Sequence, residues 1–295
     1  MGRPGDVLPP PHRVPEGRRG GTGADAPRGV GGFLSDPGTL VVVPAAAAVA
    51  RAAAEQIAAR AERAVASTGR FTIALSGGST PKRLYALLAD PGAPYRARIE
   101  WDRIHVFFGD ERHVPPDDAQ SNFRMARETL LDRVPVPAEN VHRVLAERSA
   151  EEAADLYEAE LRRAFSLDPG AAPRFDVILL GMGEDGHTAS LFPGTAALSE
   201  RRRLVAANWV PKFSTWRITM TLPVLNAAAA VLFLVAGPDK ARPLAAVFGL
   251  SSPPDAYPCQ LVRPKSGELL WLVDRAAAAS VPPGVARLSE APSVT

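Results

Sequence analysis

The chain has 295 residues, 46% of them apolar, which is enough for one large α/β domain or two small ones with a sizeable core. A formal net charge of only +2 argues against a dedicated nucleic-acid binder, which would show a strong basic bias. The single cysteine, Cys259, excludes an intrachain disulfide and any Cys-rich metal site, and no apolar run approaches the ~20 residues that span a bilayer.

In chain order, residues 1–35 are rich in Pro, Gly and Arg without periodicity, so a disordered tail is expected there. No apolar stretch of signal-peptide type follows its arginines, and a cytoplasmic protein is the expectation. Residues 36–281 are expected to form a single α/β domain, and 282–295 a loose C-terminal tail. Leu40–Val43 reads as a short strand and Ala45–Ser67 as an Ala-rich helix ended by Gly69. Phe71–Leu75 is a strand, followed by Ser76-Gly-Gly-Ser-Thr-Pro81. Pro81 suits the first position of a helix capped by Ser79 or Thr80 and running to about Ala89.

Ile104–Phe108 is the next strand, with Gly109-Asp-Glu-Arg112 as the loop after it. Helices are predicted at Ser121–Leu131 and Ala150–Phe165, the second with Leu156, Leu161 and Phe165 inward. The run Phe175–Leu180 has the unbroken apolar character of a buried parallel strand. Leu204–Ala207, Arg217–Thr221 and Ala230–Val235 are further strands, Pro238–Phe248 is helical, and Leu269–Val273 precedes a short helix capped by Asp274. Alternating strands and helices predict an α/β fold: an open, mainly parallel, doubly wound sheet with helices on both faces.

In such sheets ligands bind at the carboxyl ends of strands, and three loops converge there. The first, Ser76, Gly77, Gly78, Ser79 and Thr80, opens a helix, where free amides favour an anion. It has neither the Walker spacing nor the dinucleotide fingerprint, so a sugar phosphate is favoured over a nucleotide. The second carries Asp110, Glu111 and Arg112. Arg112 suits a bidentate clamp on phosphate, and Asp110 suits sugar hydroxyls or the orientation of a base. The third, Gly181-Met-Gly-Glu-Asp-Gly-His-Thr-Ala-Ser-Leu-Phe-Pro193, places Asp185 and His187 just after the strand, with His187 a candidate general base. Asp185 and His187 are too few ligands for zinc, so a metal-free site is expected. Lys212, ahead of a strand, would complete a cationic pocket. Arg217 is either a ligand group or an ion-pair partner. Either Asp110 or Asp185 is placed to orient His187. Cys259 reads as a core residue.

Taken together, these segments resemble the 6-phosphogluconolactonase family. The likeness rests on Ser76–Pro81, on Gly109–Arg112 with Val114-Pro115 and Ser121-Asn122, on Gly181–Pro193, and on Pro211-Lys212 to Thr221 with Asn226, in order from about Leu40 to Ala279. The resemblance implies a sugar-phosphate isomerase-like fold and hydrolysis of 6-phospho-D-glucono-1,5-lactone to 6-phosphogluconate in the oxidative pentose phosphate pathway. It implies no cofactor, a small-molecule sugar-phosphate lactone as the partner, and neither nucleic acid nor membrane; it names no protein partner. It casts His187 as the base that activates water. Arg112 and Lys212 would hold the phosphate with help from the Gly77-Gly78 backbone, and Asp110 and Asp185 would line the sugar site. Glucosamine-6-phosphate deaminase/isomerase, on the same fold, is the alternative. Against it, Arg112 stands where that family usually has Tyr, and Thr188–Pro193 lacks its acidic residue.

Overall fold

Strand β1 (Thr39–Val43), helix α1 (Ala46–Thr68) and strand β2 (Phe71–Leu75) open the computed structural model, which describes residues 38–249 and 256–284. The expectations for residues 1–35 and 285–295 lie outside the described residues. Alanine dominates the buried face of α1, from Ala48 to Ala64, so the helix backbone lies close on β8 (Ala230–Val235) and β9 (Glu268–Asp274). Gly69 ends it in the left-handed region at φ 77°, its N–H donating to the Val65 carbonyl.

After β2 come α2 (Ser79–Ala89), α3 (Pro94–Arg98) and β3 (Ile104–Phe108). Then follow β4 (Asp110–Arg112), α4 (Asn122–Thr129), α5 (Ala150–Ala164) and β5 (Val177–Leu180). Strands β6 (Val205–Val210) and β7 (Thr215–Met220) lead through α6 (Leu222–Leu225) to β8. Helix α7 (Ala241–Phe248) precedes β9, and α8 (Arg275–Ala278) follows it.

Six strands form one wholly parallel sheet in the order β1-β9-β8-β5-β2-β3. Its inner strands, Val-Ile-Leu-Leu in β5 and Ala-Val-Leu-Phe-Leu-Val in β8, are buried throughout, as helices on both faces require. Buried apolar residues from Leu40 to Ala277 form a single core cluster.

Three local expectations need correction. Helix α2 begins at Ser79, two residues before Pro81, and its cap is Gly78, without a side-chain cap. At φ 108° Gly78 turns the chain in a conformation that a Ser or Thr cap would not adopt. Gly109–Arg112 is more than a loop: the Gly109 carbonyl accepts from the Met220 N–H at 2.8 Å, and the chain crosses from β3 to pair with β7. The result is a second, antiparallel sheet, β4-β7-β6, into which the strands predicted near 204–207 and 217–221 also go. On α5, Leu156 is 41% exposed, one position off the buried row Ala153, Tyr157 and Leu161.

Glu111 ties the two sheets to α4. Its buried carboxylate accepts from the backbone amides of Arg112 (2.7 Å), Asn122 (2.7 Å) and Phe123 (2.8 Å), and from Ser121 Oγ (3.1 Å). Burial pushes its pKa up, against the pull of the three amides. Glu111→Ala strands these donors and is expected to cost at least about 2 kcal/mol in chemical denaturation. A loss within experimental scatter would contradict the anchoring role.

Candidate active site

The carboxyl ends of β2, β5 and β8, together with β4, surround a cavity of about 350 Å³. Its floor is the sheet edge where β2 and β5 part after the pair Ala74–Ile178. Ser76 to Thr80 form one wall, Asp110 and Arg112 a second, and Gly181 to Gly183 with His187 and Ala189 a third. Asp239 and Lys240, just beyond β8, close the fourth.

His187 owes its position to glycine. The Gly183 N–H donates to the His187 carbonyl at 2.9 Å, and a Cβ on Gly183 would collide with the imidazole. Gly186 turns the chain at φ 71° against Tyr257. The imidazole stacks on Phe192 with centroids 4.0 Å apart, and its Nδ1 lies 2.5 Å from Asp185 Oδ1. Asp185 is thus the carboxylate that orients the ring: it holds Nδ1 as the donor and leaves Nε2 as the acceptor. The other oxygen of Asp185 accepts from Lys212 Nζ at 2.8 Å.

Burial works to raise the Asp185 pKa, but the hydrogen bonds from His187 and Lys212 outweigh it, and the carboxyl sits well below the usual range. Because the folded-state value is depressed, the stabilisation is present above the unfolded value of about 4 and is lost only as pH falls through the folded value.

Asp110 is buried and faces the cavity, with no ion pair among the described residues. Ser190 Oγ donates to its Oδ2 at 2.7 Å and Asn122 Nδ2 to its Oδ1 at 3.3 Å. Asn208 Nδ2 donates to the Ser190 carbonyl at 2.8 Å, so β6 braces the His187 loop from behind. The Asn122 carboxamide lies where a Cβ on Gly77 would have to go.

Arg112 reaches the cavity and spends one donor on the Gln120 carbonyl at 2.9 Å. Arg217 lies directly opposite it in the β4–β7 ladder, with its guanidinium over Phe213. Burial and the nearby Arg112 lower the Arg217 pKa. Two like charges facing each other across a ladder are unfavourable, and neither guanidinium is paired with a carboxylate among the described residues.

Of the residues singled out in the sequence, the fold gathers Ser76, Gly77, Gly78, Ser79, Thr80, Asp110, Arg112 and His187 around one cavity. Asp185 stands one contact behind His187. Lys212 and Arg217 are not in the cavity wall as expected. Lys212 is committed to Asp185 from the short turn Pro211–Phe213, and Arg217 stands behind Arg112. Sequence reasoning missed Lys240, although a strand end followed by Gly237-Pro238 was a usable signal. The roles of Ser190 and Asn208 depend on partners distant in sequence, which leave no local pattern. Cys259 is fully buried, and burial pushes its thiol up to about 12, consistent with a core residue.

The profile of the family described as glucosamine-6-phosphate isomerases/6-phosphogluconolactonase matches residues 44–271. A 6-phosphogluconolactonase of Nostoc sp. is 47% identical over 244 residues, covering 82% of this chain and 98% of that protein. The Homo sapiens 6-phosphogluconolactonase is 40% identical over 248 residues, covering 82% and 93%. The solved 6-phosphogluconolactonase of Trypanosoma brucei superposes with a TM-score of 0.74 at 29% identity, covering 84% of this chain and 100% of that one.

Proposed function

The chain belongs to the glucosamine-6-phosphate isomerase/6-phosphogluconolactonase family, and from that membership we infer that it is a hydrolase opening 6-phospho-D-glucono-1,5-lactone to 6-phosphogluconate in the pentose phosphate pathway. The observation that carries the mechanism is the Asp185–His187 pair at a cavity that also gathers Arg112, Asp110 and the uncapped start of α2.

His187 Nε2 takes a proton from water as the water oxygen bonds to C1. The tetrahedral oxyanion then collapses with cleavage of the C1–O5 bond, and the imidazolium returns its proton to O5. Asp185 holds the ring and stabilises the imidazolium. The ester carbonyl is electrophilic enough that these groups need no metal in the scheme.

The phosphate goes to the start of α2 and to Arg112. That helix start has no side-chain cap and no acidic residue in its first turn, so its amides are available to an anion. A dianion beside Arg112 would also relieve its repulsion with Arg217, and Lys240, ion-paired with Asp239 at 2.8 Å, lines the cavity from another wall. Asp110, held by two donors, presents acceptor oxygen to sugar hydroxyls. A cytoplasmic site of action fits this reading, and among the described residues no helix is long and apolar enough to cross a membrane. A single domain over residues 36–281 fits the continuous core.

The direct test is lactone hydrolysis, corrected for spontaneous opening, beside glucosamine-6-phosphate deamination. Turnover of the amine with none of the lactone would reverse the assignment. Arg112→Ala is expected to raise KM by about tenfold with kcat nearly unchanged, because a charge-assisted phosphate contact is lost. An unchanged KM would put the phosphate elsewhere.

A further inference from the structure

Two buried tyrosines outside the reacting groups share one unusual arrangement. The Tyr85 hydroxyl accepts from the Ser76 N–H at 3.0 Å and donates to the Ser76 carbonyl at 2.8 Å. The Tyr157 hydroxyl accepts from the Phe108 N–H at 2.8 Å and donates to the Phe108 carbonyl at 3.0 Å. In each case one phenol satisfies both main-chain groups of a single residue. Within a sheet, both of those groups point to the same side, toward a neighbouring strand. Each hydroxyl therefore stands in for a strand that is missing.

The two places where a strand is missing are the two from which substrate loops spring. The Leu75 carbonyl accepts from Gly109 on the β3 side, so Ala74 and Ser76 face β5. Pairing with β5 ends at Ala74, and Ser76 would be orphaned in the crevice but for Tyr85. Phe108 ends β3, the edge strand, and its outward groups meet Tyr157 on α5. Ser76 begins the loop 76–80, and Phe108 immediately precedes 109–112. A water molecule would satisfy the same groups, but it would not fix a direction; a phenol anchored in a helix does. Burial raises both phenols above the ordinary tyrosine value, so each keeps the proton it gives to its carbonyl.

We propose that Tyr85 and Tyr157 are positioning residues for substrate binding, each hydroxyl fixing the strand end from which a substrate-contacting loop departs: Tyr85 that of the phosphate loop and Tyr157 that of the Asp110–Arg112 segment. The proposal rests on the lactonase reading for its substrate, and on the hydrogen bonds alone for the clamp. It separates the tyrosines from ordinary core residues, because removal of one oxygen atom alters ligand affinity as well as stability.

The test compares Tyr85→Phe, Tyr157→Phe and the remote core variant Ile57→Val in the full chain. Three quantities are read: steady-state lactone hydrolysis, calorimetric binding of 6-phosphogluconate, and amide hydrogen exchange. Each Tyr→Phe is expected to raise KM and the product Kd by about tenfold with kcat within about threefold, since loop placement serves binding. Ile57→Val is expected to lower Tm without moving KM. In the parent protein, the Ser76 and Phe108 amides are expected to exchange as slowly as Ile73 and Val106 inside their strands. KM and product Kd within twofold of the parent in both Tyr→Phe variants would overturn the proposal, leaving the phenols a purely structural role. So would parent Ser76 and Phe108 amides that exchange like exposed loops, a result that stands even if a variant fails to fold. A parent that hydrolyses no lactone counts against the activity alone, and the exchange rates and product binding then decide the clamp.

Discussion

His187→Ala is expected to lower kcat by about 10²–10⁴-fold, the usual worth of a positioned base, while binding of 6-phosphogluconate persists. The alanine removes the proton acceptor but leaves the cavity wall that holds the phosphate, because Arg112 and the start of α2 take no support from the imidazole. The loss has a floor. The lactone opens unaided, and the remaining site still orients it. The measurement is initial rate against spontaneous hydrolysis, with product binding followed separately. Turnover within tenfold of the parent would remove His187 from the mechanism.

The second large effect belongs to a residue that need not touch substrate. Asp185→Asn keeps the size of the side chain and discards its charge. Nδ1 of His187 then faces an amide that can turn its NH₂ toward the ring, which forces the tautomer with the proton on Nε2. The nitrogen facing the cavity becomes a donor and ceases to be a base. Lys212 loses its carboxylate partner at the same stroke. The expected fall in kcat is about 10²–10⁴-fold with KM little changed, as for other base-orienting carboxylates. Because the Asp185 carboxyl lies well below the ordinary range, it remains ionised through mildly acid solution. No titration of this group is expected in the kcat/KM profile of the parent above about pH 4. A variant that retains more than a tenth of parental kcat would show that the ring needs no carboxylate.

Much of this site was legible before any fold was known, and the reason is local. Strand, glycine turn and helix follow one another without interruption at Phe71–Ala89, and so do strand and turn at Val177–His187. Composition therefore marks where a strand ends and what stands there. The nearness of Asp185 to His187 was legible for the same reason, since only Gly186 separates them, but their pairing was not. What resisted reading was everything set by distant partners. Whether Asp110 or Asp185 served His187 depended on β4 turning away into the second sheet, where Ser190 and Asn122 occupy the Asp110 carboxylate. For Lys212 the charge was visible in the sequence and its partner, Asp185, was not. Glu111 looked like one more loop charge, since nothing nearby in sequence announces four donors converging on it.

The three-residue strand β4 also has a genetic consequence. Neighbouring side chains in a strand point to opposite sides, so Asp110 and Arg112 enter the cavity while Glu111 turns away to cap α4. Inserting or deleting one residue between Gly109 and Arg112 would exchange the two sides. A carboxylate would then enter the phosphate site, and a guanidinium would be driven in among backbone amides that already donate. Point mutations in this stretch can be graded in severity, but frame-preserving indels cannot. Natural length variation in the chain should therefore be absent here and concentrated in connections whose residues owe nothing to parity.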